Sequence, residues 1–199
     1  MMSLSASGQL GRAVVFSTWK GRPLVRKLVK PKNPKSGLQT GMRAAAKFMS
    51  QIYASLNATV KGHWQNQYKT LKITGLNSMF RFNQPRVRQG LGLYQDPTNA
   101  SGAVEAAPTG AAVTALPKSL VITWVDSAGA NDWATLIWMS TTTAFTPSTA
   151  TLIAIVKKGV QTLTVPKLVT GTPYYFRGAG TETGGTLGTL FAQVTGTPT

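Results

Sequence analysis

Residues 112–199 carry no helical period and break into short β-prone runs separated by Gly, Pro, Asn, Ser and Thr. The runs fall at 120–124, 134–139, 151–156, 161–165, 174–177 and 189–194. Branched and aromatic side chains crowd these runs, and turn-forming residues fill the gaps. Strands of about five residues at regular spacing predict an antiparallel two-sheet sandwich of about 90–100 residues.

The chain ahead of this region has a different grammar. Residues 13–17 and 23–29 are two β-prone runs separated by Trp19-Lys20-Gly21-Arg22, a spacing that suits a hairpin. Pro31, Pro34 and Gly37 then stop regular structure, with Lys30, Lys32 and Lys35 interleaved, which predicts an extended basic arm. An isolated hairpin is marginal in water, so this one is expected to pack on the following helices or on a neighbouring subunit. A helix is expected over 40–56, where Ala45, Phe48, Met49, Ile52, Tyr53 and Leu56 recur at three- and four-residue spacing. A second is expected over 59–71, with Val60, Trp64, Tyr68 and Leu71 on one stripe. A short third is expected over 76–83, ended by Pro85. The fold expected is thus an α+β N-terminal part (hairpin, extended basic arm, two to three helices) followed by an all-β sandwich.

Residues 95–117 are rich in Ala, Gly, Thr and Pro and hold almost no large apolar side chain. This predicts three parts: a basic domain over 1–94, a linker over 95–111 and the sandwich over 112–199. Fully extended, the linker spans at most about 55 Å, so the two halves need not touch.

Charge follows the same division. The net charge is +16, from 21 Lys and Arg against five Asp and Glu. Sixteen of the 21 bases lie in residues 1–95, which contain no carboxylate; the five acids, Asp96, Glu105, Asp126, Asp132 and Glu182, all follow. Such segregation points to a polyanionic partner for the first half. Chemistry is short of material: the chain has no Cys and a single His. Thiol nucleophiles and zinc–thiolate sites are excluded, and neither a metal nor another cofactor is expected. His63, beside Trp64, reads as a surface or packing residue. Asp126 and Asp132 flank a turn, where acids ordinarily cap. Gly184-Gly185 and Thr170-Gly171 lack the lysine of a phosphate cradle. The first residues show no basic segment followed by an apolar one, and no window is apolar enough to span a bilayer, so no membrane partner is expected.

Two resemblances add to this reading. Residues 119–126, with Trp124, resemble strand B of the fibronectin type III family. Residues 168–177 are similar to its E–F corner, where a leucine, here Leu168, precedes a tyrosine, here Tyr174, by six residues. The resemblance implies a sandwich core containing Trp124, Leu168 and Tyr174, with the Tyr174 hydroxyl bonded to backbone just upstream. Residues 180–198 resemble the F–G loop, strand G and exit of the same family, and no Arg-Gly-Asp triplet is present. Residues 14–39, with Trp19-Lys20-Gly21 and Asn33-Pro34-Lys35 ahead of a helix, resemble uncharacterised proteins of tailed bacteriophages. So do residues 77–83. Ser36-Gly37-Leu38 stands where those proteins carry threonine-proline-alanine. This second resemblance implies a virion structural protein, made in the host cytoplasm, and not an enzyme.

The expected function is a non-enzymatic cement or decoration protein. Its basic half docks on the major capsid protein or another virion protein, with self-association, and its sandwich projects. A neck or tail protein, or a basic virion protein contacting packaged nucleic acid, is the alternative. The expected attachment residues are Arg12, Lys20, Arg22, Arg26, Lys27, Lys30, Lys32 and Lys35, with Trp19 as apolar anchor and Arg81, Arg86 and Arg88 as second choices.

Overall fold

In the computed structural model, the residues described are 8–10, 14–19, 22–27, 35–99, 102 and 104–199. The chain divides into two compact units, Met1–Pro34 and Lys35–Thr199. The first is a three-stranded antiparallel sheet of β1 (Gly8–Leu10), β2 (Val14–Trp19) and β3 (Arg22–Lys27), in that order. The β2–β3 register pairs Trp19 with Arg22 and Val14 with Lys27, leaving the two-residue connection that the hairpin pattern demands.

In the second unit, helix starts fall where short polar side chains can hold free backbone N–H groups. Ser36 accepts from the Gln39 N–H at the head of α1 (Gly37–Ser55). Asn57 does so for Val60 in α2 (Ala58–Gln67), and Thr74 for Asn77 in α3 (Gly75–Arg88). A single 3₁₀ turn, Lys69–Leu71, follows α2. The second helix is thus shorter than its apolar stripe suggests, and the third is longer. Pro85 lies inside α3, one turn from its end, where the missing N–H removes one hydrogen bond and burial of Val87 holds the last turn in place.

Eight strands follow. β4 (Thr109–Leu116), β5 (Ser119–Val125) and β8 (Thr162–Pro166) form one sheet in the order β4-β5-β8. β6 (Asp132–Ser140), β7 (Leu152–Lys157), β9 (Tyr174–Glu182) and β10 (Leu187–Leu190) form the other in the order β10-β9-β6-β7, and β11 (Val194–Gly196) also pairs with β9. All pairings are antiparallel. This three-plus-five arrangement is the fibronectin type III-like sandwich. Trp124 is buried between the sheets with Leu120, Ile122, Ile137, Phe176 and Phe191, and Leu168 packs against the same cluster. Tyr174 is buried, and its hydroxyl accepts from the Val169 N–H at 3.1 Å.

The outer face of the β10-β9-β6-β7 sheet carries a third layer. β6 shows no inside–outside alternation: residues 132–138 are all buried. Ile137 faces the partner sheet, while Leu136 and Trp138 join a second core with Leu152, Ile155 and the α1 residues Ala45, Phe48, Met49 and Ile52. A strand covered on both faces has no solvent side to keep polar. Phe48 meets Trp133 with ring centroids 5.2 Å apart.

This layer corrects the expected boundaries. Residues 92–99 and Glu105 do not separate the helices from the sandwich; they fasten the two together. The Leu93 N–H donates to Thr181 Oγ1, the Gln95 N–H to the Thr183 carbonyl and the Thr189 N–H to the Glu105 carbonyl. From the helical side, Trp64 Nε1 donates to the Gln95 carbonyl, and Asn83 exchanges two hydrogen bonds with the Tyr94 backbone. A segment poor in large side chains reads as a linker, yet backbone hydrogen bonds anchor it as firmly as apolar burial would. The expectation that residues 1–94 and 112–199 need not touch is therefore overturned, and the boundary lies at Pro34.

Candidate interaction site

The expected attachment residues lie mainly in the first unit. Arg22, Arg26 and Lys27 are exposed on β3, together with Leu24 and Val25 at 45% and 60% exposure. Lys35 is exposed just ahead of α1, with a positive φ of 49°. Trp19 ends β2, and its side chain is not among those described; Arg12, Lys20, Lys30 and Lys32 lie outside the described residues, as does most of the expected arm.

The second-choice arginines separate. Arg81 and Arg88 are exposed, with Arg81 over the Tyr68 ring at 5.4 Å. Arg86 is half-buried and spends its donors on backbone within the unit. Its Nε donates to the Gly92 carbonyl at 2.7 Å and an Nη to the Gly185 carbonyl at 2.6 Å, with the guanidinium 4.5 Å from the Tyr94 ring centroid. Burial pushes its pKa below the usual range, against an opposing pull from Tyr94.

Uncompensated charge is the main electrostatic fact. The one ion pair among the described residues joins His63 Nδ1 to Asp96 at 2.9 Å. Burial disfavours the Asp96 anion. Hydrogen bonds from the Thr98 N–H, His63 and the Thr98 hydroxyl outweigh it and hold the carboxyl below its usual range. Thr98 approaches the same ring nitrogen as Asp96, at 3.2 Å, so the trio lacks the opposed geometry of a base between a nucleophile and its orienting acid. Among the described residues no Lys or Arg meets a carboxylate within salt-bridge distance.

The remaining acids turn inward at one end of the sandwich. Asp126 accepts from Trp124 Nε1, the Thr135 hydroxyl and the Gly159 N–H. Glu182 is buried and accepts from the Gly102 N–H. Neither oxygen of buried Asp132 completes a hydrogen bond. Its pKa is raised to about 6, chiefly by burial; Lys158 opposes the rise, Asp126 and Glu105 add to it, and the nearby Thr181 N–H pulls it down. Among the described residues no three His, Asp or Glu side chains are placed to hold a metal ion.

Two apolar grooves flank α1. One, of about 470 Å³, lies against β7 and β8, between Phe48, Ile52, Ile155 and Leu163. The other lies between α1 and α3 as two adjoining hollows of about 370 and 550 Å³ that share Met42 and Gln84. Its floor holds Met42, Met49 and Phe80, and Arg43 and Arg88 stand at its edges. The sequence reading missed this second groove. Leu38, Met42 and Ala46 form a stripe beside the core-facing stripe of α1, and that was the available signal.

No protein-family model matches this chain, and no curated protein matches it. Solved structures resemble part of it. An Fn3-like protein from Clostridium thermocellum is 23% identical over 49% of this chain and 96% of its own, with a TM-score of 0.39. The fn3 domain of human collagen alpha-1(XX) chain is 19% identical over 50% of this chain and 91% of its own, with a TM-score of 0.40. Chicken CNTN1 FN1-FN3 domains are 14% identical over 47% of this chain, with a TM-score of 0.40; the match spans 32% of that chain. The fold stands on strand order and register, with these similarities beside it.

Proposed function

We propose that this chain is a non-enzymatic structural protein of a tailed-bacteriophage virion. It attaches through its basic N-terminal unit to an acidic protein surface, most simply the capsid lattice in the manner of a cement or decoration protein. The observation that carries this reading is the uncompensated charge: the cations of residues 1–95 find no carboxylate among the described residues, while the acids are engaged or buried elsewhere. Like charges held together without counter-charges cost stability, so a partner that supplies the counter-charge gains affinity from each of them. A hairpin with exposed Arg22, Arg26 and Lys27 among exposed Leu24 and Val25 offers both charge and apolar contact. The resemblance of residues 14–39 to tailed-phage proteins supports the virion setting.

Removing residues 1–34 tests the proposal, because Lys35–Thr199 is a compact unit by itself. The truncated protein should melt as a folded protein yet fail to enter particles; normal incorporation overturns the docking role. Titration of the full chain against empty capsids and against duplex DNA, each across salt, separates the partners. Capsid binding that outlasts DNA binding as salt rises supports attachment to protein. DNA binding equal to or tighter than capsid binding, with a steep salt slope, makes nucleic acid the partner.

A further inference from the structure

We infer that the groove between α1 and α3 is a second docking site, and that its occupant is an acidic amphipathic helical segment of the partner protein. The inference deepens the attachment reading and rests on it for the partner being a protein. Four observations converge. The floor is apolar and adaptable: Met42 and Met49 are unbranched, Phe80 closes one side, and Leu38 at the α1 end is 58% exposed. From Leu38 to Met49 the helix rises about 16 Å, three turns, the length over which a docked helix sets its anchors at i, i+4 and i+7.

The rim is cationic from both sides. Arg43 on α1 and Arg88 on α3 are exposed, and neither has a carboxylate partner among the described residues. Gln39, which lines the same hollow, has a buried side-chain oxygen without a donor. The groove thus asks for apolar anchors, flanking carboxylates and one hydrogen-bond donor. A second copy of this chain is poorly equipped to answer. Asp96 is held by His63 and Thr98, Asp126 by three donors, Asp132 and Glu182 are buried, and Glu105 is half-buried beside Ser127. The complementary acids must come from a different protein.

The test uses the full chain and labelled synthetic helical peptides of 14 residues. One carries leucines at i, i+4 and i+7 with flanking glutamates, and the other has lysines in place of the glutamates. Fluorescence anisotropy should show the acidic peptide binding at least tenfold tighter. Leu38→Glu, at an exposed position, and the double variant Arg43→Glu/Arg88→Glu should each weaken it tenfold or more with the melting temperature unchanged. Ala46→Trp should block the groove by filling it. Equal binding of the two peptides, or indifference to Leu38→Glu, overturns the inference. Competition by duplex DNA at equal phosphate charge, a dimer that masks the groove, or peptide binding that appears only once residues 1–34 are removed also overturns it, by assigning the groove another occupant. An arm variant, Arg22→Glu/Arg26→Glu/Lys27→Glu, keeps the two proposals apart. It should lose capsid binding and keep the peptide. Retained capsid binding sinks the attachment reading alone, and a failed peptide sinks the groove alone.

Discussion

The buried carboxyl of Asp132 sets a distinct part of the expected pH response of this protein. Asp132 is 4% exposed, its oxygens complete no hydrogen bond, and its pKa is raised to about 6. An unfolded aspartate titrates near 3.9, so between about pH 4 and 6 the folded state holds the proton more tightly than the unfolded state does. Stability from this residue is therefore greatest below about pH 4, falls as pH rises through 6, and is level above that. Replacing the carboxyl with a neutral amide removes the penalty. Asp132→Asn should raise stability at pH 7.5 by about 1–3 kcal/mol in urea unfolding, with the gain vanishing by about pH 3.5. A gain that stays constant from pH 3.5 to 7.5 would show that ionisation is not its source. Asp96 acts with the opposite sign: its depressed pKa contributes stability at neutral pH that is lost as pH falls through the folded value. Wild type and variant share that loss, so the difference between them isolates Asp132.

At the scale of elements, legibility followed how local the governing interaction was. The core stripe of α1 and the β2–β3 hairpin depend on residues a few positions apart and could be read from spacing, while the equally local Tyr174 corner was legible through the resemblance to the fibronectin type III corner. Pro85 misled because its helix-ending preference yields to burial of Val87 and Asn83, a tertiary effect. Arg86 misled for the same reason: nothing local marks one arginine among its neighbours as bonded to a carbonyl 99 residues away. The third layer was written in β6, whose nearly continuous apolar run, interrupted only by Thr135 between Trp133 and Met139, demanded cover on both faces, but the run does not say what supplies it.

Placement of α1 depends on two close approaches, of Gly37 to the Ala150 carbonyl and of Gly41 to the Thr149 carbonyl. Gly41 is buried against the Thr149 carbonyl, and an added methyl group would overlap that oxygen. The Thr149 hydroxyl is in turn bonded to the Val87 carbonyl at the end of α3, so the loop cannot retreat without breaking a buried hydrogen bond. An alanine improves intrinsic helix propensity by about 1 kcal/mol, and the overlap should outweigh it. Gly41→Ala is expected to lower stability by about 1–3 kcal/mol, read as a lower urea midpoint. An unchanged or raised midpoint would mean that α1 can shift on the sheet freely.

At the scale of the whole molecule, the two places where the chain can be cut should behave in opposite ways. Cutting at Pro34 leaves every member of both cores intact, because all of them lie between Met42 and Val194. Cutting ahead of β4, where the sequence composition suggests a boundary, removes the helices that cover Trp133, Leu136, Trp138, Leu152 and Ile155. Each of these side chains is worth about 1.5–3 kcal/mol on burial, which together exceeds much of the total stability of a small domain. The sandwich fragment 104–199 would therefore present a wide apolar face on its β10-β9-β6-β7 sheet. It should bind a hydrophobic dye, associate at micromolar concentration and melt well below the 35–199 fragment, which should remain monomeric and melt in one transition. Equal melting temperatures for the two fragments would show that the helical layer rests on the sandwich without supporting it. The expected result makes the helices part of the sandwich's own hydrophobic core, and leaves residues 1–34 dispensable for that fold.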